Sequence, residues 1–375
     1  MINTRRLSEL FKFLSEIDSE SGNEKNICLE IKKIMESIGC ETIIDDAGKK
    51  AGSNVGNLIA KFKGNKSKEP IMLNAHMDTV KPGKGVKAIL KDGVFTSDGT
   101  TVLGADDKSA IAILIEALKV IVENRLDCGP IEFVFTICEE IGLLGVKHLN
   151  YDLISAKYGY CLDTKDIYTL VVKAPGSNFL QFKIYGKDAH AGIEPEKGIN
   201  AVLIASKAIA KLKLGRIDEK TTCNIGLIKG GKASNIVPAY VVVTGEARSH
   251  SEAKLQKITD NIIDIFKNTV SLFKKNSADK LPYLEIVCER DFASVNCDTS
   301  SKTVTLAERA AKNLGKKIKL IATGGGADSN IFFKKGIKTG VLGTGMKDVH
   351  TLRESISVED MKKTTELMLE ILKIS

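Results

Sequence analysis

The feature that most constrains the fold of this chain is an apolar run at residues 73–78 that ends in a histidine and an aspartate. In an extended strand, residues i and i+2 project from the same face, so His76 and Asp78 are predicted to lie together just beyond the strand end. A histidine that binds a metal commonly has a carboxylate beside it that fixes its orientation. The alternative is a purely structural histidine at a strand end, and the rest of the chain has to decide between the two.

Two other β-prone runs also end in acids. Residues 131–138 are followed by Glu139 and Glu140, and residues 158–162 by Asp163. Helical patterns separate these runs, and this alternation predicts an α/β domain with a mixed, mainly parallel sheet flanked by helices. Ligands of open α/β sheets bind beyond the carboxyl ends of the strands, so the sequence predicts a site where these acids meet.

Hydrophobic periodicity predicts the remaining elements of this domain. Ser21 and Glu24 match a capping box that opens a helix, and Gly39 ends it. Asp106 and Asp107 precede a continuous apolar helix at residues 110–122, where acids also have an ordinary role as helix-terminal groups. Further helices are predicted at residues 4–16, 301–314, 328–335 and 358–372, and strands at residues 57–62, 317–322 and 337–342.

The pattern changes near residues 175–177, where a second domain is predicted to be inserted. It reads as two helices on an antiparallel sheet, which is an α+β arrangement. We therefore expect a discontinuous catalytic domain at residues 1–176 and 293–375, and a lid or dimerisation domain at residues 177–292. Within the insertion, strands are predicted at residues 179–185, 222–228, 240–247 and 283–289, and helices at residues 200–214 and 252–275.

Composition narrows the functional class. A chain of 375 residues usually forms more than one domain. Lys plus Arg is 55 against 47 Asp plus Glu, but the charges are interleaved, which argues against a nucleic-acid partner. No run is long and apolar enough to predict a membrane span. The eight cysteines are scattered, and no secretory-length apolar core follows the first residues, so we expect free thiols and a cytoplasmic location.

A further histidine, His350, follows the predicted strand at residues 337–342 and a glycine-rich turn. The chain has only five histidines, so two of them near clustered acids are informative. Imidazole and carboxylate ligands together suit zinc, cobalt or manganese and indicate a two-metal hydrolase. The candidate residues are His76, Asp106, Glu139, Glu140, Asp163 and His350.

The order of these motifs resembles the signature of a known enzyme family. The motifs are His76-Met-Asp78, Gly104-Ala-Asp106-Asp107-Lys108, Glu139-Glu140-Ile-Gly142, Asp163 and His350-Thr-Leu-Arg-Glu354. They resemble the co-catalytic metallopeptidase family that contains peptidase T, glutamate carboxypeptidase and the aminoacylases. The resemblance extends over essentially the whole chain, including the insertion, and implies the zinc-exopeptidase fold with an inserted lid.

The resemblance implies a role for each residue. Asp106 would bridge two divalent ions, with Zn²⁺ favoured over Co²⁺ and Mn²⁺. Asp78 would orient His76, and Glu139 would be the general base that deprotonates the attacking water and protonates the leaving amine. In relatives the peptide bond after the bridging aspartate is cis, so we expect a cis bond between Asp106 and Asp107. The other metal ligands would be His76 and Asp163 on one ion, and Glu140 and His350 on the other.

The inserted domain would supply substrate contacts and, in a homodimer, a partner surface. By resemblance, His190 would stabilise the oxyanion and Asn235 would bind substrate, although a solvated turn histidine is the other interpretation. Arg248 would clamp a carboxylate, although an ion pair within the lid would use an arginine equally well. His148 and His250 lie outside these motifs and are expected to be structural.

The predicted activity is hydrolysis of short peptides by a peptidase-T-like aminopeptidase. Peptidase T carries an arginine before its glycine-rich loop, whereas residues 323–330 here read Thr-Gly-Gly-Gly-Ala-Asp-Ser-Asn. This difference argues against strict tripeptide specificity, and the loop is expected to form a wall of the substrate pocket. A carboxypeptidase or an N-acyl amino acid deacylase is the nearest alternative, and a metal-binding protein without catalysis is the remote one.

Overall fold

The computed structural model describes residues 2–274 and 280–375. The helices are α1 (Thr4–Ser15), α2 (Lys25–Ser37), α3 (Gly48–Ala51), α4 (Ala105–Glu123), α5 (Leu144–Lys147), α6 (Ala201–Ile209), α7 (Glu252–Ser271), α8 (Lys302–Asn313), α9 (Asp328–Lys334) and α10 (Val358–Ile374). The strands are β1 (Glu41–Ile44), β2 (Leu58–Phe62), β3 (Ile71–His76), β4 (Ile89–Lys91), β5 (Val94–Thr96), β6 (Ile131–Thr136), β7 (Tyr158–Thr164), β8 (Thr169–Ala174), β9 (Gly176–Tyr185), β10 (Gly215–Asp218), β11 (Thr221–Gly230), β12 (Tyr240–Ser249), β13 (Tyr283–Phe292), β14 (Val295–Asn296), β15 (Lys319–Ala322), β16 (Lys338–Gly343) and β17 (Ser355–Ser357).

The chain divides into two compact units. The first consists of residues 1–173, 296–323 and 327–375, and the second of residues 174–295 with 324–326. The sequence-based division started the insertion at residue 177 and ended it at residue 292, three residues from each boundary of the structural unit. Residues 324–326, which that division placed in the catalytic domain, belong to the second unit. The role of the second unit as a lid or a dimer surface stays a prediction.

The main sheet of the first unit is mixed, with a parallel centre. Its strand order is β1-β2-β6-β3-β7-β16-β8-β14, with β15 paired to β8. Strand β3 runs parallel to both β6 and β7, and β16 runs parallel to β7. Strand β2 is antiparallel to β1 and β6, and β8 is antiparallel to β16 but parallel to β15. Strands β3 and β6 are buried along their whole length, as their continuous apolar sequences require. The predicted fold class is confirmed.

Helices cover this sheet and bury their apolar faces in the core. Helix α4 is apolar on nearly all sides and is buried from Ala105 to Leu118, as expected of a helix in the interior. Helices α1 and α10 are amphipathic and pack against α4. Phe11 of α1 also packs edge-on against Phe95 of β5, with ring centroids 5.0 Å apart. Strands β3 and β6 and the first five residues of β7 therefore lie in a close-packed core.

The second unit is an antiparallel sheet with two helices. The strand order is β10-β11-β12-β9-β13. Alternate residues of β9 are buried, as the period of two predicts, and they face α6 and α7. Phe182 of β9 stacks on Phe266 of α7 with ring centroids 3.8 Å apart. This unit has the α+β arrangement that the sequence predicted.

Some local predictions were wrong. Helix α2 begins at Lys25 with Glu24 at its N-cap, and the Ser21 hydroxyl donates to Asp78 instead of forming a capping box. The edge strand β1 was missed, because half-exposed and exposed residues alternate in it and no apolar run marks it. The predicted end of helix α7 at residue 275 lies outside the described residues. Among the helices of residues 2–274 and 280–375, none has the length and apolar character that crossing a membrane requires.

Candidate active site

The carboxyl ends of three neighbouring parallel strands carry the candidate residues of the first unit. Strand β3 lies between β6 and β7 and ends at His76. The turn after β6 presents Glu139 and Glu140, and β7 presents Asp163 near its end. Because parallel strands end at the same edge of the sheet, these side chains converge as the sequence predicted.

Asp106 lies between the two candidate histidines. Its Oδ1 is 3.1 Å from His76 Nε2, and its Oδ2 is 3.2 Å from His350 Nε2. The same His350 nitrogen is 2.8 Å from Glu140 Oε1. Asp106 and Asp107 are joined by a cis peptide bond, which confirms that expectation. The two carboxylate oxygens of Asp106 thus face two different sets of partners.

Two overlapping groups of side chains have the spacing of metal ligands. One contains His76, Asp106 and Glu140, and the other contains Asp106, Asp107 and Asp163; within each group the ligand atoms lie within 4.8 Å of one another. Asp106 belongs to both groups. Asp107, which was not among the predicted ligands, also accepts a hydrogen bond from the His76 backbone N–H at 3.1 Å through Oδ2. One oxygen of Asp107 is therefore committed to the end of β3.

Asp78 contacts His76 through both its backbone carbonyl and its carboxylate. The His76 Nδ1 lies 2.9 Å from the backbone carbonyl of Asp78 and 3.4 Å from its carboxylate. A carbonyl can only accept, so this contact places a proton on Nδ1, and Nε2 faces Asp106 Oδ1 at 3.1 Å. The Asp78 carboxylate also accepts from the Ser21 hydroxyl at 2.6 Å and from the backbone N–H groups of Glu139 at 2.9 Å and Glu140 at 3.2 Å, and its role in orienting His76 stays a prediction. It holds the turn that carries both glutamates.

Several buried acids lie close together at the site, and burial and mutual repulsion shift their pKa values. Burial raises the pKa of Glu139, and the nearby carboxylates of Asp163 and Asp328 raise it further. Burial and the charge of Asp106 likewise raise the pKa of Asp163. Hydrogen bonds to Asp106 and Glu140 raise the pKa of His350 to about 10. This concentration of negative charge favours cations at the site.

Two buried acids of this region were not assigned by sequence. Glu354 is 2% exposed, and its carboxylate accepts three backbone N–H groups. The spacing of four residues from His350 was the only signal for it. Asp328 is 2% exposed and accepts from Thr136 Oγ1 at 2.5 Å and Asn74 Nδ2 at 3.2 Å through Oδ2, so it supports the ends of β3 and β6. Burial raises the pKa of Asp328 to about 6.

The predicted substrate residues lie in the second unit. His190 and Asn235 are exposed and lie on loops paired with each other, since the Ala191 N–H donates to the Asn235 carbonyl at 2.9 Å. Arg248 of β12 donates to the Glu246 carboxylate at 2.9 Å and lies over the Phe292 ring at 5.7 Å. The ion pair within the unit, which the sequence left open, is thus formed. A role in substrate binding stays a prediction for all three residues.

The other two histidines occupy positions that fit a structural role. His148 is the C-cap of α5, where its backbone N–H donates to carbonyls of the preceding turn. The His250 backbone N–H donates to the Lys220 carbonyl at 3.0 Å.

Comparison with known proteins identifies the family. The model of "Peptidase family M20/M25/M40" matches residues 72–374. The protein YqjE of Bacillus subtilis (strain 168) is 40% identical over 377 residues, which cover 99% of each chain. The crystal structure of aminopeptidase PepT from Bacillus cereus ATCC 10987 has a TM-score of 0.88 at 39% identity, covering 99% of this chain and 98% of that one. That of a tripeptidase from Staphylococcus aureus subsp. aureus Mu50 has a TM-score of 0.92 at 38% identity, covering 100% and 99%. The predicted resemblance is therefore confirmed, and the chain belongs to peptidase family M20/M25/M40.

Proposed function

We propose that this peptidase is an aminopeptidase that removes residues from short peptides with the help of two divalent metal ions. The observation that carries the proposal is the position of Asp106, whose two carboxylate oxygens face His76 on one side and His350 on the other. A carboxylate in this position can bridge two ions. The similarity to an aminopeptidase and to a tripeptidase supports the choice of substrate.

The residues of the site fit a pair of zinc ions. Imidazole nitrogens and carboxylate oxygens are the ligands that zinc takes, and Co²⁺ and Mn²⁺ accept the same set. Asp107 Oδ1 is buried and has no hydrogen-bond partner among the described residues, which fits a carboxylate oxygen close to a bound cation. We assign His76 and Asp163 to one ion, Glu140 and His350 to the other, and Asp106 to both. Bound there, the ions would lower the pKa of water and polarise the scissile carbonyl.

Glu139 is the residue that we assign to proton transfer. It would take the proton of the attacking water and pass it to the nitrogen of the leaving amine. The hydrogen bond from its backbone N–H to Asp78 fixes the position of the turn from which its side chain projects. The causes that raise the pKa of Glu139, burial first, favour its protonated form, which the second half of this transfer needs.

We assign the substrate contacts to His190, Asn235 and Arg248 of the second unit, and infer that this unit acts as a lid and as the contact surface of a homodimer. His190 would stabilise the oxyanion of the tetrahedral intermediate. Arg248 would bind a substrate carboxylate, and its pairing with Glu246 means that the substrate competes with an internal carboxylate. A cytoplasmic location is part of the same proposal.

A panel of small substrates tests the proposal. The metal-reconstituted protein is given a tripeptide with a free amino terminus, the same peptide N-acetylated, the same peptide amidated at its carboxyl end, and an N-acetyl amino acid. We expect release of the first residue from the free tripeptide and no release from its N-acetylated form. Release of acetate without peptide cleavage would identify a deacylase, and release of the last residue would identify a carboxypeptidase. A protein that binds metal and cleaves nothing would be the non-catalytic alternative.

A further inference from the structure

Glu354 is a buried carboxylate whose partners are backbone N–H groups of one short segment. Its Oε2 accepts from Leu103 at 2.8 Å and from Gly104 at 2.9 Å, and its Oε1 accepts from Asp106 at 2.9 Å. A carboxylate that accepts several N–H groups is held strongly, because each bond is charge-assisted. Glu354 is therefore fixed with respect to the backbone around Asp106.

These N–H groups need an external acceptor. Gly104 is the N-cap of α4 and has no side chain that could cap the helix, with a φ of 74° in the left-handed region. The torsion angles of Asp106 and Asp107 are not helical, so the N–H groups before the regular part of α4 lack intrahelical carbonyls. The Glu354 carboxylate satisfies them from another part of the chain.

Glu354 also belongs to the loop that carries His350. The residue after it, Ser355, forms an antiparallel bridge with Lys347, in which each N–H donates to the other carbonyl at 2.9 and 3.0 Å. This bridge closes the loop of residues 347–355, and β17 then pairs with β5. One side chain at the base of the His350 loop is thus bonded to the backbone that carries Asp106.

We propose that Glu354 is a positioning residue that sets the spacing between Asp106 and His350, and thereby the affinity for the metal ion that these two residues share. The inference rests on the proposed function. Metal sites tolerate distance errors of only about 0.2 Å, and groups that support ligands typically change metal affinity about 10–100-fold when removed. The other ion would depend on His76 and Asp163, which the strands β3 and β7 hold directly. Because Asp106 is assigned to both ions, loss of Glu354 should weaken both, but it should weaken the ion of His350 more, since only there does Glu354 support both ligands.

The variant Glu354→Gln tests whether Glu354 affects the affinity of one ion more than that of the other. The amide keeps the size of the side chain but replaces one acceptor oxygen by a donor that faces N–H groups. Glu132→Gln is the matched control, because Glu132 is also buried and accepts from the backbone N–H groups of Ser155 and Ala156 at 2.9 Å. It lies near the start of β6, at the opposite end of that strand from Glu139 and Glu140.

The readout is titration of each metal-free protein with Co²⁺, followed by the visible absorption of the bound ion. Wild type should bind two equivalents tightly. Glu354→Gln should bind one equivalent about 10–100-fold more weakly and the other with a clearly smaller loss of affinity. Glu132→Gln should bind both equivalents as wild type does, even if its thermal unfolding midpoint falls equally. Equal titrations for the two variants, or an equal weakening of both ions by Glu354→Gln, would overturn the proposal.

Two additions keep the test decisive. Glu354→Asp keeps the charge but is one methylene shorter, so it should give an intermediate affinity for the same ion, and it replaces the amide variant if that protein does not fold. Peptide cleavage by wild type is measured separately. A wild type that binds two Co²⁺ ions and cleaves no peptide would contradict the proposed function, while the titrations would still judge Glu354. A wild type that binds no Co²⁺ would overturn both.

Discussion

The proposed metal ligands of the first unit and the proposed substrate contacts of the second unit are held in different ways. Asp106 is 8% exposed; the buried Glu354 accepts its backbone N–H, and the buried Asp107 accepts the backbone N–H of His76. His190 and Asn235 are exposed, and their loops are tied together mainly through backbone hydrogen bonds. The first arrangement suits chemistry that needs fixed geometry, and the second suits contacts that adapt to different peptides. Changes in the first unit should therefore affect kcat and metal content, and changes of Asn235 and Arg248 in the second should affect KM.

The largest effect is expected for Glu139→Gln. Loss of a general base lowers kcat about 10²–10⁴-fold, whereas the metal content should stay at two ions because Glu139 is not a proposed ligand. Tripeptide turnover and metal analysis of the same sample measure both quantities. The neighbouring variant Glu140→Gln is the control, since it should lower the metal content as well. Retention of activity in Glu139→Gln would refute the assignment of the base.

Removal of the metals should destabilise the first unit. An ion present at about 100 times its Kd contributes about 2.7 kcal/mol to the free energy of unfolding, so chelation should lower the thermal unfolding midpoint and added Zn²⁺ should restore it. Hydrogen exchange measured by mass spectrometry should show faster exchange near residues 76–79 and 103–109 and no change in β9 and β12. In Asp106→Asn, chelation should have little effect. Equal loss of protection in both units would contradict the assignment of the metal ions to the first unit alone.

Arg248→Ala should change substrate affinity alone. Hydrogen bonds to a charged group contribute about 1.5–3 kcal/mol, so KM for a peptide with a free carboxylate should rise about 10–100-fold while metal content stays constant. A peptide amidated at its carboxyl end should show no such change. Glu246→Gln is the matched control, because it removes the competing partner of Arg248 and should leave KM equal or lower. An unchanged KM in Arg248→Ala would mean that this arginine forms only a structural ion pair with Glu246.

The smallest expected effect is a pH dependence of stability that differs between the two units. The pKa of Asp328 is about 6 in the folded protein, above its usual value, so its contribution to stability is fully present below about pH 4 and is lost as the pH rises through 6. In the metal-free protein, Asp328→Asn should therefore lower the unfolding midpoint more at pH 5 than at pH 7.5.

The matched variant in the second unit is Asp218→Asn. A hydrogen bond from Lys254 lowers the pKa of Asp218 to about 2, so its contribution is lost only as the pH falls through that value. The difference between wild type and Asp218→Asn should be the same at pH 5 and pH 7.5. A pH-independent effect of Asp328→Asn would contradict the raised pKa.

Much of the fold could be predicted because its central elements have one-sided or fully apolar patterns. The runs that became β3, β6 and α4 are apolar enough to be identified without their neighbours. Edge elements such as β1 are short and half-exposed, so only their pairing with β2 makes them strands. The Ser21 hydroxyl shows the same limit, since its partner Asp78 is distant in sequence and a local capping pattern described it wrongly.

The site could be predicted as a set of residues but not as a network. Side-chain chemistry and motif order identify Asp106 and His350, and the structure brings them within 3.2 Å. Backbone groups carry no sequence signal, so the Asp78 carbonyl that contacts His76 could not be foreseen. The same holds for Glu354, whose three donors are backbone N–H groups some 250 residues away.

Because β16 lies inside the sheet, the main sheet can be completed only after β16 has been synthesised. Strand β16 lies between β7 and β8, although nearly the whole second unit separates it from them in sequence. A ribosome-bound chain that has emerged only as far as residue 337 can present His76, Asp106, Glu139, Glu140 and Asp163, but it has a gap in the middle of its sheet and lacks His350 and Glu354. Peptide hydrolysis by the proposed site therefore has to wait until residues 338–354 have been made.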